Sequence, residues 1–143
     1  MAAATISKVE RPATYEDANL LLRLYELRRE ERLRNAREWF MKNFHASTME
    51  EFQKLCPLGS KENAFYRMVV SYWDMAASFV AGGVLHEGLF TQNSRELLLV
   101  WERIHDIVPA LRKTFKNANL SRSLETVANA MVADRLPDSA FGV

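Results

Sequence analysis

Apolar residues recur at steps of three and four along most of this chain, and no useful length of it alternates with the period of two that a strand requires. The pattern begins in "ATYEDANLLLRLYELRREERLRNAREWFMKNF". There Thr14 is placed to cap a helix, and Glu16 and Asp17 sit where the helix dipole favours negative charge. Ala18, Leu22, Tyr25, Leu33, Ala36 and Phe40 share one face, with Arg29 as a charged intruder, and nothing in the pattern stops the helix before Phe44. A helix of about 30 residues would be roughly 45 Å long, against a radius of gyration of about 14 Å for a compact domain of this size. Such a rod overhangs its domain unless it bends. Leu20, Leu24 and Leu27 lie nearly opposite the main stripe, so a second partner is implied. Either later helices cover these leucines, or they form the contact of a homo-oligomer.

Ser47 and Glu50 have capping-box spacing ahead of a short connecting helix that turns Phe52 and Leu55 inward and stops before Pro57 and Gly59. Ser60 then caps "KENAFYRMVVSYWDMAASFVAGG", which ends at Gly82 and Gly83. At ~100° per residue, Asn63, Arg67, Ser71, Asp74 and Ser78 fall in one narrow strip, and the rest of the circumference is apolar. The length would suit a bilayer, but Arg67 and Asp74 near the middle would each cost about 2.5–3.5 kcal/mol there. The segment therefore reads as the central helix of a bundle, wrapped by neighbours except along a polar seam, and not as a membrane span. The seam has three readings. It is the solvent edge of a buried helix, or a structural network in which Arg29 reaches Asp74, or a pocket in which Arg67 holds an anion.

After "VLHEGLF", a turn or short helix, Asn93 and Glu96 suit a second capping box. Leu97, Trp101, Ile104, Val108, Leu111 and Phe115 then form a bundle-packing stripe, and Pro109 must kink or split that helix. A last helix in "LSRSLETVANAMVADRL" offers Leu120, Leu124, Val127 and Met131 to the same core. The expected fold is an all-α helical bundle of four principal helices plus short connecting helices. It forms a single domain over residues 1–143, with a flexible arm at 1–13 and a tail at 137–143.

Composition narrows the function more than it names one. Nineteen basic residues against eighteen acidic ones give no overall field to draw in nucleic acid or anionic lipid. The arginines between Arg23 and Arg37 are interleaved with glutamates at helical pairing distance, which suits a salt-bridged solvent face better than a phosphate-binding one. Cys56 is the single cysteine, and no secretory signal opens the sequence, so a cytoplasmic location is the expectation. Glu102 and His105 give one Glu-x-x-His, where a di-iron bundle needs two, and His45, His86, His105 and Cys56 lack the paired spacing of a zinc site. Gly83 to Gly88 has phosphate-loop spacing, but Leu89 and Phe90 stand where Lys and Ser or Thr belong. No catalytic constellation, metal site or cofactor is indicated.

The runs "LLLRLYELRREERLRNAREWF" and "ENAFYRMVVSYWDMAASFVAGGVLHEGLF" resemble an uncharacterised family of small all-α bacterial proteins, a domain of unknown function, over about Asn19 to Phe115. The resemblance implies a helical fold and brings no assigned activity or catalytic residues. Some members carry an added N-terminal membrane tether, and this chain is expected to lack one. Two functions follow from the residues. The first is a non-enzymatic module for self-association or protein contact through Leu20, Leu24 and Leu27. The second is a binding protein or sensor for an anionic small molecule, with Arg67, Ser71, Asp74 and Arg29 as ligand or polar-network residues.

Overall fold

The computed structural model describes residues 11–134, and these hold eight helices and no strand. The expected tail at 137–143 and the first ten residues of the expected arm lie outside the described residues. Thr14 caps α1 (Tyr15–Arg28) as anticipated, in a full capping box completed by Asp17. The single long rod, however, does not form. Its chain turns at Arg29 and Glu30 into a second helix, α2 (Glu31–Asn43).

The break has a geometric reason. Leu24 and Leu33 are nine residues apart, which on one straight helix would put them about 180° apart, yet both are buried here. Bending the chain at Glu30 turns both faces toward the same core. Glu30 caps the new start through its own carboxylate, which accepts the Leu33 N–H at 3.1 Å. Arg37 donates to the Arg28 carbonyl, one of the acceptors that the end of α1 leaves without a helical partner. Glutamate is not among the preferred caps and neither Gly nor Pro marks the site, so periodicity alone could not find it.

Helix α3 (Met49–Leu55) is capped by Thr48 with Glu51, one residue later than the Ser47 and Glu50 expected. Helix α4 (Lys61–Ala81) begins at Ser60 and ends at Gly82 and Gly83 as read from the sequence, Gly83 taking the left-handed φ of 79° that favours glycine. It is the central helix. Its neighbours are chiefly α2 and α8 (Arg122–Ala133), and it buries Tyr66, Val69, Tyr72, Trp73, Ala76 and Val80. At one end of α4 an aromatic cluster fills the core, with Phe40 stacked on Phe44 at 4.9 Å and Phe44 on Tyr66 at 5.2 Å.

Helix α5 (Glu87–Asn93) is the short helix in "VLHEGLF", capped by His86. The predicted stripe then runs through α6 (Arg95–Ile104) and α7 (Val108–Thr114), split where Pro109 enters the first turn of α7. Leu97, Trp101, Ile104, Val108 and Leu111 are buried, but Phe115, expected in the core, is 60% exposed. It lies just past the end of α7, where Lys116 takes a positive φ of 52° and turns the chain away. The Asn93 and Glu96 capping box is also absent. Ser94 precedes α6 without a side-chain cap, and Glu96 is committed elsewhere.

Candidate functional site

The polar seam of α4 opens onto a cleft of about 850 Å³, and Asn63, Arg67, Ser71 and Asp74 all contribute to its lining. The structure thus brings together three of the four residues marked for a ligand or polar network. Arg29 is not among them. It is exposed at the C-cap of α1, its guanidinium 5.7 Å from the centre of the Tyr25 ring, and the expected contact with Asp74 does not form.

What Asp74 does instead explains why a carboxylate sits inside the most apolar stretch of the chain. Its Oδ1 accepts the backbone N–H of Leu124 at 2.9 Å, within the first turn of α8. Ser121 stands at the N-cap of α8 but is held at φ 56°, not in the extended conformation that lets a serine cap its own helix, and its side chain makes no cap hydrogen bond. Asp74 therefore supplies from α4 the acceptor that α8 cannot find locally. Burial pushes its pKa above the ordinary aspartate range, against the opposing pull of the Leu124 N–H and the charge of Arg112.

Arg67 is held differently. Its Nε donates to Asn63 Oδ1 at 3.0 Å, one turn earlier on the same helix, and Asn63 in turn donates to the Cys56 carbonyl. The guanidinium is oriented, yet it forms no ion pair among the described residues. Ser71 is exposed and donates to the Met68 carbonyl of its own helix.

The rest of the cleft is apolar and was not assigned to a site from the sequence. Its floor includes Phe52, Tyr66, Val70 and Leu111, each less than a tenth exposed. Its rim carries Leu58, the most exposed large apolar residue among those described at 89%, and Phe115 at 60%. Burial raises the Tyr66 pKa well above the ordinary phenol value, and its hydroxyl has no hydrogen-bond partner among the described residues. The one signal available earlier was adjacency, since Tyr66 and Val70 border Arg67 on the α4 wheel. Phe115 and Leu120 had been assigned to the core, and Leu58 lay in a turn without periodicity.

The leucines expected to face a partner are placed otherwise. Leu24 is 3% exposed and belongs to the core, Leu20 packs partly against it, and Leu27 is 40% exposed. The apolar residues that α1 leaves outermost are Tyr15, Leu22 and Tyr25, of which Leu22 and Tyr25 had been assigned to the core side. The bend at Glu30 accounts for the exchange of faces. A smaller cleft of about 260 Å³ lies beside this helix, where Arg28 sits 5.0 Å from the Tyr25 ring centre and 5.4 Å from that of Trp73.

Two further polar clusters emerged that pattern reading did not foresee. Asp17, 2% exposed, accepts from both terminal nitrogens of Arg11, from Thr14 and from the backbone N–H of His86. The Arg11 guanidinium is the chief reason its pKa falls far below the ordinary aspartate value. Residues 11–13 of the expected arm are thereby tied to the bundle. Arg37 forms a two-point ion pair with Glu96, both contacts at 2.8 Å, and Trp73 Nε1 donates to the same carboxylate. Cys56 is buried and its pKa is pushed up to about 11, which leaves an unreactive thiol. Among the described residues no group of three or more His, Cys, Asp or Glu is placed to hold a metal ion, and no helix is long and apolar enough to cross a membrane.

A family model described as a domain of unknown function (DUF4760) matches residues 13–131, so the chain belongs to that family, in keeping with the resemblance read from its sequence. No curated protein and no solved structure matches it.

Proposed function

We propose that this DUF4760 domain is a non-enzymatic binding protein for a small molecule that carries an anionic group, with the cleft along the α4 seam as its site. The observation that carries this reading is an oriented guanidinium without a carboxylate partner, Arg67, on the lining of a cleft of about 850 Å³. Ligand pockets commonly measure about 300–1,000 Å³ and place a few polar groups on apolar walls. Arg67 supplies the cation and a planar set of donors. Tyr66 is a second donor in the same lining, its hydroxyl without a protein acceptor among the described residues. A cytoplasmic setting belongs to this reading and is supported by the single, buried Cys56.

Thermal unfolding with a panel of monoanionic compounds tests it. A ligand that binds the folded state raises the midpoint with concentration, by about 2.7 kcal/mol of stability at a hundred times its dissociation constant. The rise is expected in the native protein and not in Arg67→Glu. A panel that shifts both proteins equally would remove Arg67, and this site, from the reading.

A second reading rests on α1. Leu22 is 58% exposed, Tyr25 47% and Leu27 40%, which is an apolar surface suited to a second copy or a protein partner. Sedimentation that shows a concentration-dependent dimer, dispersed by Leu22→Glu, would favour it. A monomer up to high micromolar concentration would dismiss self-association.

A further inference from the structure

The polar groups that line the seam cleft are few, and most are already engaged. Asn63 holds Arg67 and the Cys56 carbonyl, Ser71 donates within its own helix, and Asp74 is bound to the Leu124 N–H. A hydrophilic metabolite entering here would lose water along most of its length and gain few hydrogen bonds, a net cost for each group left unmatched. An apolar body meets the opposite balance. Tyr66, Val70 and Leu111 offer it a floor, and Leu58 and Phe115 stand exposed at the rim, where an occupant would remove both from water.

From this we infer that the cleft takes a single-chain amphiphile, its anionic head at Arg67 and its apolar chain laid along Tyr66, Val70 and Leu111 beneath Leu58 and Phe115. The inference rests on the binding-protein reading above and adds the chemical class of the ligand. Charge complementarity selects the head. Arg67 has no carboxylate of the protein to satisfy it, whereas Asp74, the other charged group of the lining, already holds a helix terminus. The dimensions agree with the chain. The cleft measures about 850 Å³, within the roughly 300–1,000 Å³ usual for small-molecule pockets, so a chain of medium length is accommodated.

Titration calorimetry of the whole protein with decanoate, decanol and decylammonium separates the possibilities. Decanoate is expected to bind at least about tenfold more tightly than decanol, the scale of a charge-assisted hydrogen bond, with decylammonium weakest. Arg67→Gln should erase the preference for decanoate without abolishing decanol binding. From octanoate to dodecanoate, each added pair of methylenes should tighten binding by about tenfold until the cleft is filled. Phe115→Ser, at an exposed position where folding is spared, removes apolar surface without adding charge and should weaken all three decyl compounds.

The failures are distinguishable. Equal binding of decanoate and decanol would overturn the anionic head and leave an apolar cleft standing. Butyrate binding as tightly as dodecanoate would overturn the chain while the anion-binding reading survived. No binding of any compound would overturn both, and so would a dimer dispersed by Phe115→Asp, in which a second copy would be the occupant.

Discussion

Toward α1, α2 and α6, the polar groups of α4 are matched by partners from distant parts of the chain. The Tyr72 hydroxyl donates to the Leu24 carbonyl at 2.6 Å, and Trp73 Nε1 donates to a Glu96 carboxylate that is itself clasped by Arg37. Along the seam the arrangement differs. Arg67 is bonded to a neighbour on its own helix, Ser71 likewise, and Asp74 serves one backbone N–H of α8. Both sides belong to one helix, but Tyr72 and Trp73 are buried while Arg67 and Ser71 are exposed, so the contrast separates two kinds of polar residue. Those on the matched side make the fold unique, because each has a geometry that a slipped helix would lose. Arg67 has no such structural task, and a cation without an ion-pair partner on the cleft lining is what the ligand proposal explains.

The matched side is tested most severely by Glu96→Ala. The substitution leaves the Arg37 guanidinium and the Trp73 indole N–H without their acceptor in surroundings where both are largely shielded, with 24% of the Arg37 side chain exposed. Equilibrium urea unfolding should show a loss of about 2–3 kcal/mol, below the full value for a deeply buried pair because some solvent reaches the site. A loss under about 1 kcal/mol would mean that the pair behaves like an exposed surface bridge, and the contrast between the two sides would fail.

The two carboxylates that hold distant backbone N–H groups divide the comparison further. Asp17 holds His86 and Asp74 holds Leu124, but the Arg11 guanidinium lowers the pKa of the first while burial raises that of the second. The pH signatures are therefore opposite. The stability that ionised Asp17 contributes is fully present above its unfolded pKa near 3.8 and is lost as pH falls toward its lower folded value. Asp74 binds its proton more tightly in the folded state, so its titration favours folding on the acid side, and that contribution is lost as pH rises through its raised folded pKa. Asp17→Asn should lower the unfolding midpoint clearly at pH 7, with the gap to the native protein closing as pH is brought below 4. Asp74→Ala should cost about 1 kcal/mol at pH 7, the usual worth of a helix cap, and Asp74→Asn less, since an amide oxygen can still accept from Leu124. A gap for Asp17→Asn that stays constant from pH 7 to pH 3 would show that its charge is not what fastens Arg11 and His86.

The helical architecture was legible because spacing alone carries it. Ser60, Gly82 and Gly83 bounded α4, and Pro109 announced the split between α6 and α7. The bend at Glu30 was not legible, since its cause is tertiary. Leu24 and Leu33 need the same core, and the cap that permits the turn is a glutamate. That omission displaced the expected contact face from Leu22 and Tyr25 to Leu24. The seam was visible as a strip of residues, but the cleft beside it was not, because its facing wall comes from α7, its C-terminal end and the turn before α8, where Ser121 takes a positive φ of 56°. The part of Asp74 could be posed as a question from the sequence. Its partner, a backbone N–H fifty positions away, has no side-chain signature to find.

The smallest effect on stability is expected where the largest effect on binding is proposed. Arg67→Gln removes a charge that is exposed, belongs to no ion pair among the described residues, and is tied to the fold by one hydrogen bond spanning four positions of its own helix. Bonds of that kind are worth about 0.2–0.5 kcal/mol, and surface substitutions generally stay within about 0.5 kcal/mol. The variant should therefore unfold within about 0.5 kcal/mol of the native protein in the same urea series in which Glu96→Ala loses several times as much. Asn63 would keep its contact with the Cys56 carbonyl, so the local helix start is preserved and any loss of ligand affinity is attributable to the guanidinium. A cost above about 1 kcal/mol would place Arg67 among the matched, structural residues. The two sides of α4 would then be alike, and a free cation in the cleft would no longer need a ligand to account for it.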